Sequence, residues 1–205
     1  MKYIPNILTI LRLLACPILI YLFFFGTYLT ILIVFILACL TDFFDGYIAR
    51  KESLKTNLGK ILDPIADKAL IITMCIMIII GEAIWPASYN SSLHYVPFCI
   101  IILREIIVTS LRFNLDNQNK SIDVNLLSKY KTFIQMLAIG SIIIYKCIPY
   151  LHIFVYPGKF IGLTNVPFKD LSLFVESISY FLVWIAAFVT LITGIQHFRT
   201  YLKLK

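Results

Sequence analysis

The sequence predicts an all-α integral membrane protein of six transmembrane helices with both termini on the cytoplasmic side. Three observations predict it. Hydrophobic residues make up 60% of the 205-residue chain and charged residues only 14%, a more apolar and less charged composition than that of ordinary soluble domains. The apolar residues fall in long runs, each near the ~20 residues with which a helix crosses a bilayer. Basic residues gather in alternate connections rather than evenly along the chain, as cytoplasmic loops of a membrane protein require.

The first predicted span covers about Ile7 to Phe25, and Gly26 and Thr27 break the run. The second goes from about Leu29 to Arg50, the third from Asp63 to Gly81 and the fourth from Tyr95 to Phe113. The fifth covers about Leu126 to Ile148 and the sixth Leu171 to His197. Residues 1–205 are thus expected to form a single membrane domain, with no internal repeat, no low-complexity segment and no room for a sizeable soluble domain. The first run is long enough to span and is followed by no small-residue cleavage site, so it reads as a helix and not as a signal peptide. Pro149 to Phe168, with Pro149, Pro157, Gly158, Gly162 and Pro167, is expected to be a loop on the non-cytoplasmic side.

Charge orients the stack. Lys2, the basic residues between Arg50 and Lys68, those between Arg112 and Lys131, and Arg199, Lys203 and Lys205 fall on one side, whereas the opposite loops carry Lys146, Lys159 and Lys169. The positive-inside rule makes the first side cytoplasmic. The net charge of +7 suits a face lying on anionic lipid and needs no nucleic acid to explain it. Cys16, Cys39, Cys75, Cys99 and Cys147 stand alone in apolar runs without metal-ligand spacing and are expected to be small core residues. His94, His152 and His197 lie near predicted helix ends and are expected to be interfacial polar residues.

The chemistry concentrates between Asp42 and Asp67. Asp42 and Asp45 are three residues apart at the end of the second helix, and Asp63 and Asp67 are four apart at the start of the third. Such spacings put side chains on one helical face, and a short turn lets the two faces meet. An aspartate beside a helix N-terminus needs no function, since it satisfies free amides and the helix dipole; Asp63 alone would be read so. Asp42 and Asp45 resist that explanation, because a helix C-terminus disfavours negative charge. Four carboxylates in one volume repel one another, and divalent cations are the natural compensation. All-oxygen ligands suit Mg²⁺ or Mn²⁺, and four carboxylates could hold two ions. Gly46, Ala49 and Gly59 are small enough to let backbones or a flat base come close. Arg50 adds a cationic fork suited to phosphate. Together they describe a pocket for a nucleotide diphosphate.

The pattern D-x2-D-G-x2-A-R-x8-G-x3-D-x3-D, filled by Asp42, Asp45, Gly46, Ala49, Arg50, Gly59, Asp63 and Asp67, resembles that of the CDP-alcohol phosphatidyltransferases. The resemblance implies a six-helix membrane enzyme, usually a homodimer. Asp42, Asp45 and Asp63 would be metal ligands, and Asp67 the general base that may also touch a metal. Gly46, Ala49, Arg50 and Gly59 would line the site of the CDP-lipid together with Asp42. The segments PNILTILRLLACP near the N-terminus, REIIVTSLR (Arg104–Arg112) and SKYKTFIQ (Ser128–Gln135) resemble the branch of the family that makes phosphatidylglycerophosphate, although Ser128-Lys129 stands where many such enzymes have Gly-Lys. The cardiolipin synthases of the same fold share a similar start and an LDP-x-ADK segment, and are the nearest rival.

The reaction so implied transfers a phosphatidyl group from CDP-diacylglycerol to sn-glycerol 3-phosphate, at the cytoplasmic face of the cell membrane, releasing CMP. A phosphorylated acceptor needs cations of its own. Arg104, Arg112, Lys129 and Lys131 stand near the cytoplasmic ends of the fourth and fifth helices and are the candidates for its phosphate. Lys129, Lys131 and Arg112 would also be placed there by topology alone. Arg104 lies deeper, beside Glu105, where a charge marks either function or a paired structural site. A divalent-cation transporter is the alternative from another class, but its site would be expected near the midplane, often within repeated halves. A non-catalytic scaffold would not need four clustered acids.

Overall fold

Where water is absent, a backbone must pair its own polar groups, so long apolar runs become helices. The computed structural model of the chain contains α1 (Ile4–Phe25), α2 (Tyr28–Glu52), α3 (Asn57–Ile84), α4 (Ser92–Asp116), α5 (Leu126–Val155) and α6 (Val166–Leu204). The structure describes residues 4–52, 57–84, 92–116, 126–155 and 166–204, and within them the side chains of 9–41, 65–66, 68–83, 94–115, 130–148 and 171–202. Each helix extends past its predicted apolar run at one end or both. Among the described residues, Tyr130–Ile148 and Leu171–Leu202 are long and apolar enough to cross a membrane, and Thr9–Phe25 and Tyr28–Thr41 are shorter apolar stretches.

The break between α1 and α2 has a local cause. The Gly26 amide donates to the Leu22 carbonyl at 2.8 Å, and a Cβ on Gly26 would stand 2.7 Å from that same oxygen, so a side chain does not fit. Thr27 then caps α2. Its hydroxyl accepts from the Thr30 amide at 3.3 Å, while its own amide donates to the Thr30 hydroxyl at 3.2 Å, a reciprocal capping arrangement.

α1 packs on α2 and α3, α2 on α5, α5 on α6, α6 on α4, and α4 on α3, which closes a ring. Leu19, Phe35, Leu70, Met74, Ile139 and Val183 fill its centre. Lipid tails are as apolar as leucine, so in a bilayer such a core is held by close packing and polar bonds more than by escape from water. Small residues such as Ala15, Ala38, Ala138, Ala186 and Ala187 are buried where helices meet. The outer surface is the reverse of a soluble protein's. Phe25 is 76% exposed and Phe113, Phe181 and Phe188 each about two thirds, an exterior for lipid and not for water. Cys16, Cys75 and Cys147 are buried as expected and Cys39 packs against the core, but Cys99 is exposed.

Two expectations need correction. Residues 149–155 and 166–168 of the expected loop are helical, because α5 continues to Val155 and α6 begins at Val166; the apolar residues Leu151, Ile153, Phe154 and Val155 carry the helix on. Lys146, expected among the opposite loops, lies inside α5, where its Nζ donates to Glu82 Oε1 of α3. A buried partner removes the need for the ammonium to reach water, so the helix does not end there. Around this pair, His94 of α4 stacks on Tyr180 of α6 with ring centroids 3.8 Å apart, and Ser179 donates to the Ser141 carbonyl at 3.1 Å. These contacts collect the C-terminal part of α3, the start of α4, the later part of α5 and the early part of α6 at one end of the bundle.

Removing one member of a buried ion pair strands the other charge, at a cost of about 3–5 kcal/mol. Glu82→Met alone should therefore destabilise the protein by that order in a detergent unfolding titration. The double variant Glu82→Met with Lys146→Met should regain most of the loss.

Candidate active site

At the opposite end, α4 places Arg104 and Glu105 side by side, with Thr109 one turn on and Arg112 two turns on. Glu105 is only 1% exposed and collects donors from two helices. Arg104 Nη1 donates to its two carboxylate oxygens at 3.3 and 3.4 Å. Lys131 Nζ and Gln135 Nε2 of α5 both donate to Oε1, the latter at 3.1 Å. α6 closes the group. Gln135 Nε2 also donates to Thr190 Oγ1 at 3.0 Å, and Arg104 Nη2 to Thr193 Oγ1 at 3.0 Å. Lys68 of α3 donates to Thr109 Oγ1 at 2.5 Å, and that hydroxyl donates on to the Glu105 carbonyl. Arg112 Nη2 stands 3.1 Å from His197 Nε2. A guanidinium can only donate, so His197 Nε2 is the acceptor and the ring's proton sits on Nδ1.

The charges in this network do not cancel. Among the described residues, Lys68, Arg104, Arg112 and Lys131 bring four positive charges against the one negative charge of Glu105, which leaves three. Two of the buried donors, Arg104 Nε and Arg112 Nε, have no hydrogen-bond partner among the described residues. Buried donors without acceptors are costly, and uncompensated cations in a low-dielectric interior more so. An anion with several oxygens, such as a phosphate, answers both needs at once.

The structure brings together three of the four residues expected at an acceptor phosphate, Arg104, Arg112 and Lys131. Lys129 lies in the first turn of α5 with its side chain outside the described residues. Asp42, Asp45, Gly46, Ala49 and Arg50 lie in the second half of α2, and Gly59, Asp63 and Asp67 in the first half of α3; their side chains likewise lie outside the described residues. The backbone nevertheless locates that stretch of α3. Lys68, next in sequence to Asp67, reaches Thr109 of α4, so the start of α3 is at the same end as the charge network. Among the described residues no three His, Cys, Asp or Glu side chains gather as a metal site would.

Several members of the network were not foreseen. Thr190, Thr193, Gly194 and His197 follow the spacing i, i+3, i+4, i+7 and so share one face of α6. A polar or small stripe in an otherwise apolar helix was the available signal. His197, expected to be interfacial, is only 5% exposed, because Arg112 supplies the polar partner that water would otherwise provide. Arg12 of α1, unremarked in the sequence, is buried as well. Gly194 makes room for Arg104, since a Cβ there would stand 3.0 Å from Arg104 Cγ and 3.4 Å from its Nε.

The sequence model of the family described as CDP-alcohol phosphatidyltransferase matches residues 2–192. The chain belongs to this family. It is 36% identical over 202 residues to a CDP-diacylglycerol–glycerol-3-phosphate 3-phosphatidyltransferase of Rickettsia typhi, covering 97% of both chains. Proteins of the same name from Cereibacter sphaeroides and Bacillus subtilis are 35% identical over 213 residues and 34% over 166 residues, covering 96% and 81% of this chain and 94% and 70% of theirs. As a CDP-alcohol phosphatidyltransferase the chain is a membrane-associated enzyme that transfers a phosphatidyl group, and the buried cations of α4 and α5 are the charged centre that its described residues offer to such a substrate.

Gly194→Ala tests the fit around Arg104. Alanine favours the helix over glycine by about 1 kcal/mol, yet its methyl forces the Arg104 stem to give way. The variant should unfold at the wild-type temperature or higher and transfer phosphatidyl groups more slowly. An unchanged rate would mean that the Arg104 position is not critical.

Proposed function

We propose that this chain transfers the phosphatidyl group of CDP-diacylglycerol to sn-glycerol 3-phosphate, giving phosphatidylglycerophosphate and CMP. The observation that carries this reading is the surplus, among the described residues, of three positive charges around Glu105, with the Nε–H groups of Arg104 and Arg112 unpaired there. Such a site favours an acceptor that bears its own phosphate over an uncharged alcohol. The names of the similar proteins from Rickettsia, Cereibacter and Bacillus point to the same donor and acceptor.

In this proposal Arg104, Arg112, Lys129 and Lys131 hold the acceptor's phosphate, with Arg112 the least committed to Glu105. Asp42, Gly46, Ala49, Arg50 and Gly59 bind the CDP-lipid. Asp67 takes the proton of the attacking hydroxyl, which bonds to the phosphorus bearing diacylglycerol as CMP leaves. The donor set of Asp42, Asp45, Asp63 and Asp67, four carboxylates on adjoining turns of two consecutive helices, fits hard divalent cations. Two Mg²⁺ or Mn²⁺ ions held there would offset charge on the attacking and leaving oxygens. All six helices cross the cell membrane, both termini are cytoplasmic, and the site faces the cytoplasm; the distribution of Lys and Arg supports that orientation. A homodimer is the assembly that the family resemblance suggests.

Purified protein given CDP-diacylglycerol, Mg²⁺ and one acceptor at a time tests the proposal. Glycerol 3-phosphate should yield phosphatidylglycerophosphate and CMP. Cardiolipin made from phosphatidylglycerol in preference would contradict it. EDTA should abolish turnover, with Mg²⁺ or Mn²⁺ restoring it and Ca²⁺ restoring it poorly, since calcium prefers more ligands at longer distances. Asp67→Asn should keep donor binding and lose about 10²–10⁴-fold in turnover, the usual worth of a general base. Asp42→Asn and Asp45→Asn should instead weaken metal and donor binding together.

A further inference from the structure

We propose that His197 is a positioning residue for the acceptor: it holds the Arg112 guanidinium by one nitrogen while leaving its full positive charge for the acceptor's phosphate. This inference rests on the functional reading above and assigns a part to α6, from which the sequence suggested no site residue.

An arginine side chain is long and flexible. Arg104 is fixed by Glu105 and Thr193, but Arg112 is two turns further along α4 and makes no ion pair within the described residues. Left to itself, such a side chain would spread its charge over many rotamers, and a bound phosphate would have to order it at an entropic cost. The His197 ring stops that motion with a hydrogen bond of 3.1 Å from Arg112 Nη2 to Nε2. The ring is 5% exposed, so it is itself held by packing. Arg112 Nε, buried and without a partner among the described residues, remains as an oriented donor.

The choice of residue matters as much as its place. A carboxylate at position 197 would hold Arg112 more strongly but cancel its charge, as Glu105 does for its neighbours. A neutral imidazole accepts the hydrogen bond and adds no negative charge. It therefore fixes direction without weakening attraction for an anion. His197 lies one turn beyond Thr193 on the α6 face that also carries Gly194, the residue against which Arg104 lies. One face of α6 thus sets the position of both guanidinium groups.

Steady-state kinetics of five purified variants test this. A charge-assisted hydrogen bond is worth enough that its loss should cost about tenfold. His197→Ala should raise the KM for glycerol 3-phosphate by about that factor and leave the KM for CDP-diacylglycerol unaltered. His197→Gln, whose Oε1 can accept where Nε2 does, should recover most of the loss. His197→Glu, which holds Arg112 but cancels its charge, should not recover it. Arg112→Ala combined with His197→Ala should be no worse than Arg112→Ala alone. If wild-type protein turns over glycerol 3-phosphate while His197→Ala keeps the wild-type acceptor KM, the positioning role is overturned and the functional reading survives. If wild-type protein does not use glycerol 3-phosphate at all, the functional reading falls and takes this inference with it. Should His197→Ala fail to fold, Gln and Glu variants with equal acceptor KM would overturn the role, and a selective rise for Glu would support it.

Discussion

The arrangement of α4, α5 and α6 depends on one buried carboxylate. A charged group in a membrane bundle persists only when it is matched by partners of opposite sign and by hydrogen bonds. Glu105 is matched from two helices and, through Gln135 and Arg104, tied to a third. Helix packing between apolar surfaces in lipid has little directional preference, whereas this hub has a defined set of donors and fixes how α4, α5 and α6 stand to one another. The same carboxylate allows Arg104 and Lys131 to lie buried close together. Among the described residues it does not neutralise them fully, and the remaining positive charge suits an anionic ligand.

The far end of the bundle shows the contrast. There Glu82 and Lys146 answer each other one for one, with no excess of positive charge among the described residues. That pair joins α3 to α5, and the aromatic and hydroxyl contacts around it bring in α4 and α6. Both ends use buried ions to specify helix partners, but among the described residues only the network around Glu105 carries more cations than anions. An interior that tolerates such a surplus of one charge sacrifices stability, and such a sacrifice is characteristic of places where a ligand completes the arrangement.

Much of this was legible in the sequence, for physical reasons. The bilayer imposes a length on each apolar run, so six helices could be read in order, and eight residues at fixed spacing from Asp42 to Asp67 carried the family. Arg104 and Lys131 stood out as charges at or inside apolar runs. Their partners did not stand out, because which carboxylate a lysine meets depends on which helices become neighbours, and the ring order is not written in local periodicity. Lys146 was misplaced for the same reason: a lysine near the end of an apolar run looks like a boundary until a buried Glu82 is found opposite. Thr190, Thr193, Gly194 and His197 are each unremarkable alone. Their common face becomes meaningful only when α4 is laid against it, with Arg104 over Gly194 and Arg112 on His197.

We place the acceptor's phosphate in the positively charged network of α4 and α5. A crystal structure of the protein with glycerol 3-phosphate bound decides the matter. The phosphate oxygens should lie within hydrogen-bonding distance of the Arg104 and Arg112 guanidinium groups, with His197 still accepting from Arg112. A phosphate bound elsewhere, with both Nε–H groups still without an acceptor, would contradict it.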